Sequence, residues 1–327
     1  MTVETVLQAA SLADYGFKNI PVMKQLALIL QSGNSSLGKS GMLVSMSDSS
    51  MAFKNHGIPE ETILGAIEEG KKFFALPTET KFEYDSRKSP NFKGYGGLLS
   101  GNNDPENRGD LHEGFDIGPE NSHSSKKSAM SGANVWPTAV APNFRERVLS
   151  YYDAAVSFGR TLFPLFAIAL DLPEDFFDDK TQETAAIMRV LHYPPQTGPH
   201  DDRVLGIGAH TDFECFTILW QEPNIDALQV LNAKNEWVKA TPIPGTLVIN
   251  IGDQLARWTN DVFKSTVHRA INRTGVERYS MPLFFGVDYN VELKAIPSCI
   301  SAERPPKYEV ITAGEHVKAR LEVTYGK

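Results

Sequence analysis

The stretch GIGAHTDFECFTILWQ, residues 206–221, decides how this chain is read. A glycine-bearing turn leads to His210 and Asp212, and the chain then runs directly into the apolar segment 216–220. In extended backbone, residues i and i+2 project to the same side, so this imidazole and this carboxylate can reach one point. Such a pair can also do no more than close a strand by local hydrogen bonds. A second His-x-Asp, His200-Asp201-Asp202, lies in PPQTGPHDDR (residues 194–203) with no strand pattern on either side, and reads as a solvated loop.

Outward from that stretch, short strands punctuated by turns are predicted at 187–193, 216–221, 228–231, 247–251, 266–271 and 279–285. Turn chemistry marks 233–235 and 242–245. This texture predicts a β-sandwich or barrel rather than alternating βαβ units. Helical patterning belongs to the first 180 residues. Pro59-Glu60-Glu61 opens one helix whose apolar face, Ile63, Ile67 and Phe74, ends near Leu76, and a longer one starts after Pro142 and bends near Pro164. The fold class expected is mainly β with flanking helices (α+β). Residues 33–52 (GNSSLGKSGMLVSMSDSSMA) read as an exposed insertion, with strand potential confined to 42–46; the competing reading pairs that short run as an edge strand.

A third candidate ligand, His268, stands in FKSTVHRAINR (residues 263–273) on another predicted strand. Two imidazoles and one carboxylate on one face of an ion match non-haem Fe(II) sites, which keep positions open for further ligands. A hydrolytic zinc site can also use two His and an acid, but no HExxH pattern accompanies this one. Ten residues on, Arg278 and Ser280 share a strand face, and a guanidinium beside a hydroxyl suits two-point contact with a carboxylate. Tyr193, at the end of MRVLHYPP (residues 188–195), shares its strand face with Arg189 and Leu191 and can reach the same carboxylate.

Composition excludes other classes. With 40 acidic against 32 basic residues, the net charge of −8 implies no surface for nucleic acid. Cys215 and Cys299 are too few for a disulfide framework or a structural zinc site, and suit a reducing compartment. No GxGxxG or GxxxxGK[ST] nucleotide motif occurs. The start of the chain reads as neither signal nor transit peptide, and no apolar run is long enough to span a membrane. A cytoplasmic protein without a membrane, nucleic-acid or obligate protein partner is expected.

Taken with NHGIP (55–59), KGYGG (93–97), HEGFDIG (112–118), NVWP (134–137) and INIGDQLARWTND (249–261), these elements resemble the isopenicillin N synthase-like family of Fe(II)/2-oxoglutarate-dependent dioxygenases. The motifs keep the family's order along most of the chain. The resemblance implies a distorted double-stranded β-helix, or jelly roll, in a single oxygenase domain over residues 1–327. Residues 1–180 would be its mostly helical part, 181–290 the metal-bearing core and 291–327 a C-terminal segment. It further implies Fe(II) on His210, Asp212 and His268, with 2-oxoglutarate held by Arg278 and Ser280 and assisted by Tyr193. O2 is then the oxidant, and oxidative decarboxylation of 2-oxoglutarate to succinate and CO2 is coupled to hydroxylation, desaturation or cyclisation of a small molecule. Two departures stand out: Leu191 where many plant relatives carry Asn, and segment 33–52 where relatives have a short aromatic strand.

Tyr95, Phe115, Arg189, His192, Phe213 and Phe285 are the candidate substrate-pocket residues, with Arg189 placed to meet a substrate acid. Two alternatives stay open: a same-fold oxidase that grips its own substrate's carboxylate without 2-oxoglutarate, and a catalytically silent binding module.

Overall fold

Strict alternation of side chains along the strands, apolar on one face and mixed on the other, shapes the architecture of this computed structural model. It describes residues 42–45, 50–104, 106, 108–120, 132–183, 185–196 and 203–325. The strands are β1 (Met42–Ser45), β2 (Ser50–Lys54), β3 (Gly94–Gly96), β4 (Glu113–Ile117), β5 (Ala186–Tyr193), β6 (Ile207–His210), β7 (Phe216–Gln221), β8 (Leu228–Leu231), β9 (Trp237–Lys239), β10 (Thr246–Ile251), β11 (His268–Ala270) and β12 (Arg278–Phe285). They form an eight-stranded sheet in the order β1-β2-β10-β7-β12-β5-β4-β3 and a four-stranded sheet in the order β6-β11-β8-β9, with every pairing antiparallel. This is the expected jelly-roll arrangement.

Helices α1 (Glu60–Phe74), α2 (Thr78–Phe82) and α3 (Phe144–Ala169) precede the C-terminal strands, and α4 (Asp253–Trp258) and α5 (Ala313–Tyr325) follow later in the chain. α1 opens behind Pro59 with Glu60 and Glu61 at its positive end, as anticipated. α3 runs on through Pro164. One face of the large sheet meets α1 and α3 in an aromatic core that includes Phe73, Phe144, Phe163, Phe216 and Phe285. Full burial of each such ring contributes about 1.5–3 kcal/mol. Gly159 permits the approach of α3, because a Cβ there would sit 2.4 Å from the Phe285 ring. Between the sheets the packing is thinner. Leu219, Leu228, Val230, Ala240 and Val248 form one small cluster and Leu191, Tyr193, Ile207 and Ala270 another. A cavity lies between the sheets.

The two turns come where composition placed them. Asn235 is left-handed (φ 60°) between β8 and β9, and Gly245 (φ 72°) precedes β10. Among the described residues no helix is long and apolar enough to cross a membrane. His200, Asp201 and Asp202 lie outside the described residues.

Within segment 33–52 the sheet corrects the insertion reading for residues 42–45 and 50–52, while residues 33–41 and 46–49 lie outside the described residues. Met42–Ser45 is not a loose insertion but the edge strand, registered on β2 from Met42↔Lys54 to Ser45↔Met51. β2 in turn pairs with β10 and buries Met51, Ala52 and Phe53 to 2% exposure or less. Hydrogen-bonding capacity along β2 offsets the weak composition of its partner. Four registered pairs at about 0.2–1 kcal/mol each predict that Gly/Ser replacement of residues 42–45 costs about 1–4 kcal/mol. Urea unfolding measures this, and a loss under about 0.5 kcal/mol would restore the insertion view.

Candidate metal centre

His210 ends β6 and His268 begins β11, and the two are direct register partners in the small sheet. Their ring centroids are 4.3 Å apart. Asp212 lies just past β6, and its Oδ1 is 3.6 Å from Nε2 of each histidine. The three potential ligand atoms lie within 4.8 Å of one another. Each imidazole is oriented from behind, with Nδ1 of His210 on the Gly208 carbonyl (2.8 Å) and Nδ1 of His268 on that of Thr266 (2.9 Å). A carbonyl only accepts, so Nδ1 carries the proton and the Nε2 lone pairs point at the shared space.

The carboxylate is oriented by the large sheet. Thr217 on β7 and Asn250 on β10 both donate to Asp212 Oδ2, leaving Oδ1 toward the histidines. Burial pushes the Asp212 carboxyl up, but His268, His210 and the Thr217 hydroxyl more than reverse this and hold it below the usual carboxylate range. Two imidazoles, each presenting Nε2, and one ionised carboxylate converging from one side form a donor set suited to Fe(II).

Arg278 begins β12 and pairs in register with Tyr193, the last residue of β5. The guanidinium lies 4.6 Å from the Tyr193 ring centroid. It is 1% exposed, and its Nε and Nη1 have no hydrogen-bond partner among the described residues. A buried unpaired cation costs several kcal/mol, so this site calls for an anion. Arg278, Ser280 and Tyr193 line the same cavity as the metal triad, and Leu191 adds apolar surface opposite Ser280.

Among the predicted pocket residues, Arg189 and Phe213 line this cavity, whereas Tyr95, Phe115, His192 and Phe285 do not. Strand parity explains the difference. Phe115 and Phe285 point to the helix side and are fully buried in the aromatic core, while their immediate neighbours Asp116 and Phe284 face the cavity. Arg189 does not await a substrate acid: its Nε donates to Asp116 Oδ1 at 2.7 Å. The C-terminal helix, for which the sequence offered no role, closes one side. Val317 and Leu321 line the cavity, and Arg320 reaches Thr211 Oγ1 at 3.3 Å and Asp253 at 3.4 Å.

Tyr95 and His192 instead serve Glu113 on the opposite side of the sheet. Glu113 accepts from Lys81 Nζ and Tyr95 OH, both at 2.6 Å, and its other oxygen is 2.8 Å from His192 Nδ1. Burial raises the Glu113 carboxyl, but His192, Lys81 and Tyr95 outweigh it and hold the group below its ordinary value. Glu113→Ala leaves Lys81 buried without its carboxylate, and a loss of about 3–5 kcal/mol is expected at neutral pH. A depressed carboxyl stabilises above the unfolded carboxyl range and ceases to do so as pH falls through its folded value. The deficit of the variant should therefore shrink in acid. Denaturant unfolding with a deficit below about 1 kcal/mol at pH 7 would count against the network.

Comparison with known proteins agrees with this geometry. Residues 184–287 match the 2OG-Fe(II) oxygenase superfamily profile, and residues 50–139 match the profile described as non-haem dioxygenase in morphine synthesis N-terminal. The chain is similar to the 2-oxoglutarate-Fe(II) type oxidoreductase hxnY of Emericella nidulans, with 38% identity over 83% of this chain and 80% of that protein. It is also similar to the homoarginine-6-hydroxylase 2-ODD-233 of Oryza sativa subsp. japonica, with 32% identity over 82% and 83%. A full-length Neurospora crassa protein solved in complex with alpha-KG (2-oxoglutarate) and thymine superimposes with a TM-score of 0.75 at 25% identity, covering 92% of this chain and 91% of that one. Relatives named for this chemistry thus align over four-fifths of the chain, on a jelly roll with the matching donor set at its centre. The chain belongs to the 2OG-Fe(II) oxygenase superfamily and works with Fe(II), 2-oxoglutarate and O2.

Proposed function

We propose that His210, Asp212 and His268 hold the Fe(II), and that Arg278, with Ser280 and Tyr193, holds the far carboxylate of 2-oxoglutarate. The observation that carries this assignment is the buried Arg278 guanidinium, without a partner at two nitrogens among the described residues, in the cavity that the triad also lines. Bound Fe(II) supplies O2 activation coupled to decarboxylation of 2-oxoglutarate to succinate and CO2, with oxidation of a small-molecule C–H group. The protein's part is positioning. Thr217 and Asn250 keep the Asp212 carboxylate turned to the metal, the Gly208 and Thr266 carbonyls fix both imidazoles, and the apolar walls Ile187, Leu219 and Phe284 exclude water.

In this reading, residues 1–327 act as a single oxygenase domain in the cytoplasm on a free small molecule, with no nucleic acid, membrane or obligate protein partner. Similarity to a structure holding thymine supports a substrate of modest size. Anaerobic addition of 2-oxoglutarate to the Fe(II) protein tests the assignment and is expected to give the visible charge-transfer band of bidentate chelation. Absence of the band, together with no measurable affinity, would move the assignment to the oxidase reading, in which Arg278 grips the substrate itself.

A further inference from the structure

Asp116 and Arg189 are register partners on β4 and β5, and both face the metal cavity. They also line an adjoining recess that includes Ser100, Asp110 and His112, so the pair stands where the two spaces meet. Most other polar side chains around the metal cavity are engaged elsewhere. Thr217 and Asn250 serve Asp212, Gln254 donates to Glu214, and Thr211 donates to Asp253. The wall between the pair and the metal is apolar, formed by Ile187, Leu219, Pro282 and Phe284.

The two side chains meet through Arg189 Nε and Asp116 Oδ1 at 2.7 Å, rather than through a two-point fork. A carboxylate offers about four acceptor positions, so one such bond among the described residues leaves Asp116 well short of its capacity. Its side chain keeps 18% exposure and that of Arg189 20%. Burial pushes the Asp116 carboxyl up, and the Arg189 charge only partly offsets this, which marks a carboxylate with too few donors around it.

The geometry points to Asp116 and Arg189 as the site that selects the substrate, by binding a neutral amide-type edge in which an N–H donor sits beside a C=O acceptor. This rests on the cavity of His210, Asp212 and His268 being where substrate is oxidised. The charge arithmetic favours a neutral group. A substrate carboxylate would lie against Asp116, and a substrate ammonium against Arg189, each meeting a like charge. A lactam, cyclic urea or carboxamide donates to the one and accepts from the other without adding charge. Its hydrocarbon portion then lies along Ile187, Leu219 and Phe284, between the polar pair and the metal.

The test uses 2-piperidone, N-methyl-2-piperidone and cyclohexanecarboxylate, which share a six-membered ring and differ in the N–H and in charge. Binding is read by ligand-observed NMR on the full chain loaded with Zn(II) and 2-oxoglutarate, so that no turnover is needed. For a fragment of this size a dissociation constant in the millimolar range is expected. The lactam should bind at least about tenfold more tightly than its N-methyl analogue, because the analogue leaves a buried acceptor unmet. Cyclohexanecarboxylate should be the weakest of the three.

In the double variant Asp116→Leu/Arg189→Met, which removes both members of the pair together, the preference for the N–H should vanish. Asp116→Asn alone should reduce it. Lactam binding that is undetectable, no tighter than that of the N-methyl compound, or unchanged in the double variant overturns the inference, as does preferred binding of the acid. The 2-oxoglutarate charge-transfer band of the same Fe(II) proteins is read separately. Its loss in the wild type strikes the metal and co-substrate assignment, whereas its retention with a failed lactam panel strikes the Asp116–Arg189 site alone.

Discussion

His268→Ala is expected to abolish turnover and to weaken Fe(II) binding by more than about 100-fold, since even outer partners of metal ligands are worth 10- to 100-fold. His268 supplies one of two imidazoles on the shared space, and its ring is fixed by the Thr266 carbonyl, so no other side chain among the described residues is placed to substitute for it. The fold should survive. The His268 side chain is 14% exposed and sits at the start of a three-residue strand, outside the aromatic core. Iron content after gel filtration, with circular dichroism as a control on folding, reads the two effects apart. His200→Ala should keep both metal and activity. Full iron content and turnover in His268→Ala, with loss of both in His200→Ala, would show the triad to be misassigned.

Arg278→Met is expected to raise the KM for 2-oxoglutarate by roughly thirtyfold to several thousandfold, the equivalent of about 2–5 kcal/mol for truncating one partner of a buried charge pair. Iron content should stay near wild type, because Arg278 orients none of the three ligands. A second signature separates ligand binding from structure. Without 2-oxoglutarate the guanidinium is buried with two unmet donors, so its removal should leave the ligand-free protein as stable as wild type or more so. The rise in melting temperature that 2-oxoglutarate gives the wild type should be absent from the variant. Arg278→Lys should also fail to restore affinity, because a point charge cannot reproduce a planar fork. An Arg278→Met protein that keeps its 2-oxoglutarate-dependent thermal shift would rule the clamp out.

Much of this site was legible along the chain because its signals are local. His210 and Asp212 stand two residues apart beside an apolar strand, and Arg278 and Ser280 two apart on another. Such spacings carry their geometry with them, through the two-residue repeat of extended backbone. The strands at 216–221 and 228–231 were legible to the residue for the same reason. Less local elements were not. β6 is four residues with two glycine or alanine positions, too little side chain to announce a strand, and it exists because His268 and Ala270 pair with it. β1 likewise exists through its pairing with β2, and the Ser-rich composition around it gave no measure of that hydrogen-bonding edge.

The substrate wall shows the limit most directly. His192 and Arg189 lie three residues apart on one strand and both looked available, yet they face opposite sides of the sheet. His192 is taken up by Glu113, and Arg189 by Asp116, two partners 79 and 73 residues away. By itself, the sequence determined the chemistry: which donor atoms exist, in what local spacing, and hence which metal and which co-substrate they suit. Only the tertiary structure decided which face of each strand looks into the cavity and which charges neutralise one another across it. The physical reason is that side-chain parity is a property of one strand, whereas burial and pairing depend on which distant strand, through backbone hydrogen bonding, becomes its neighbour.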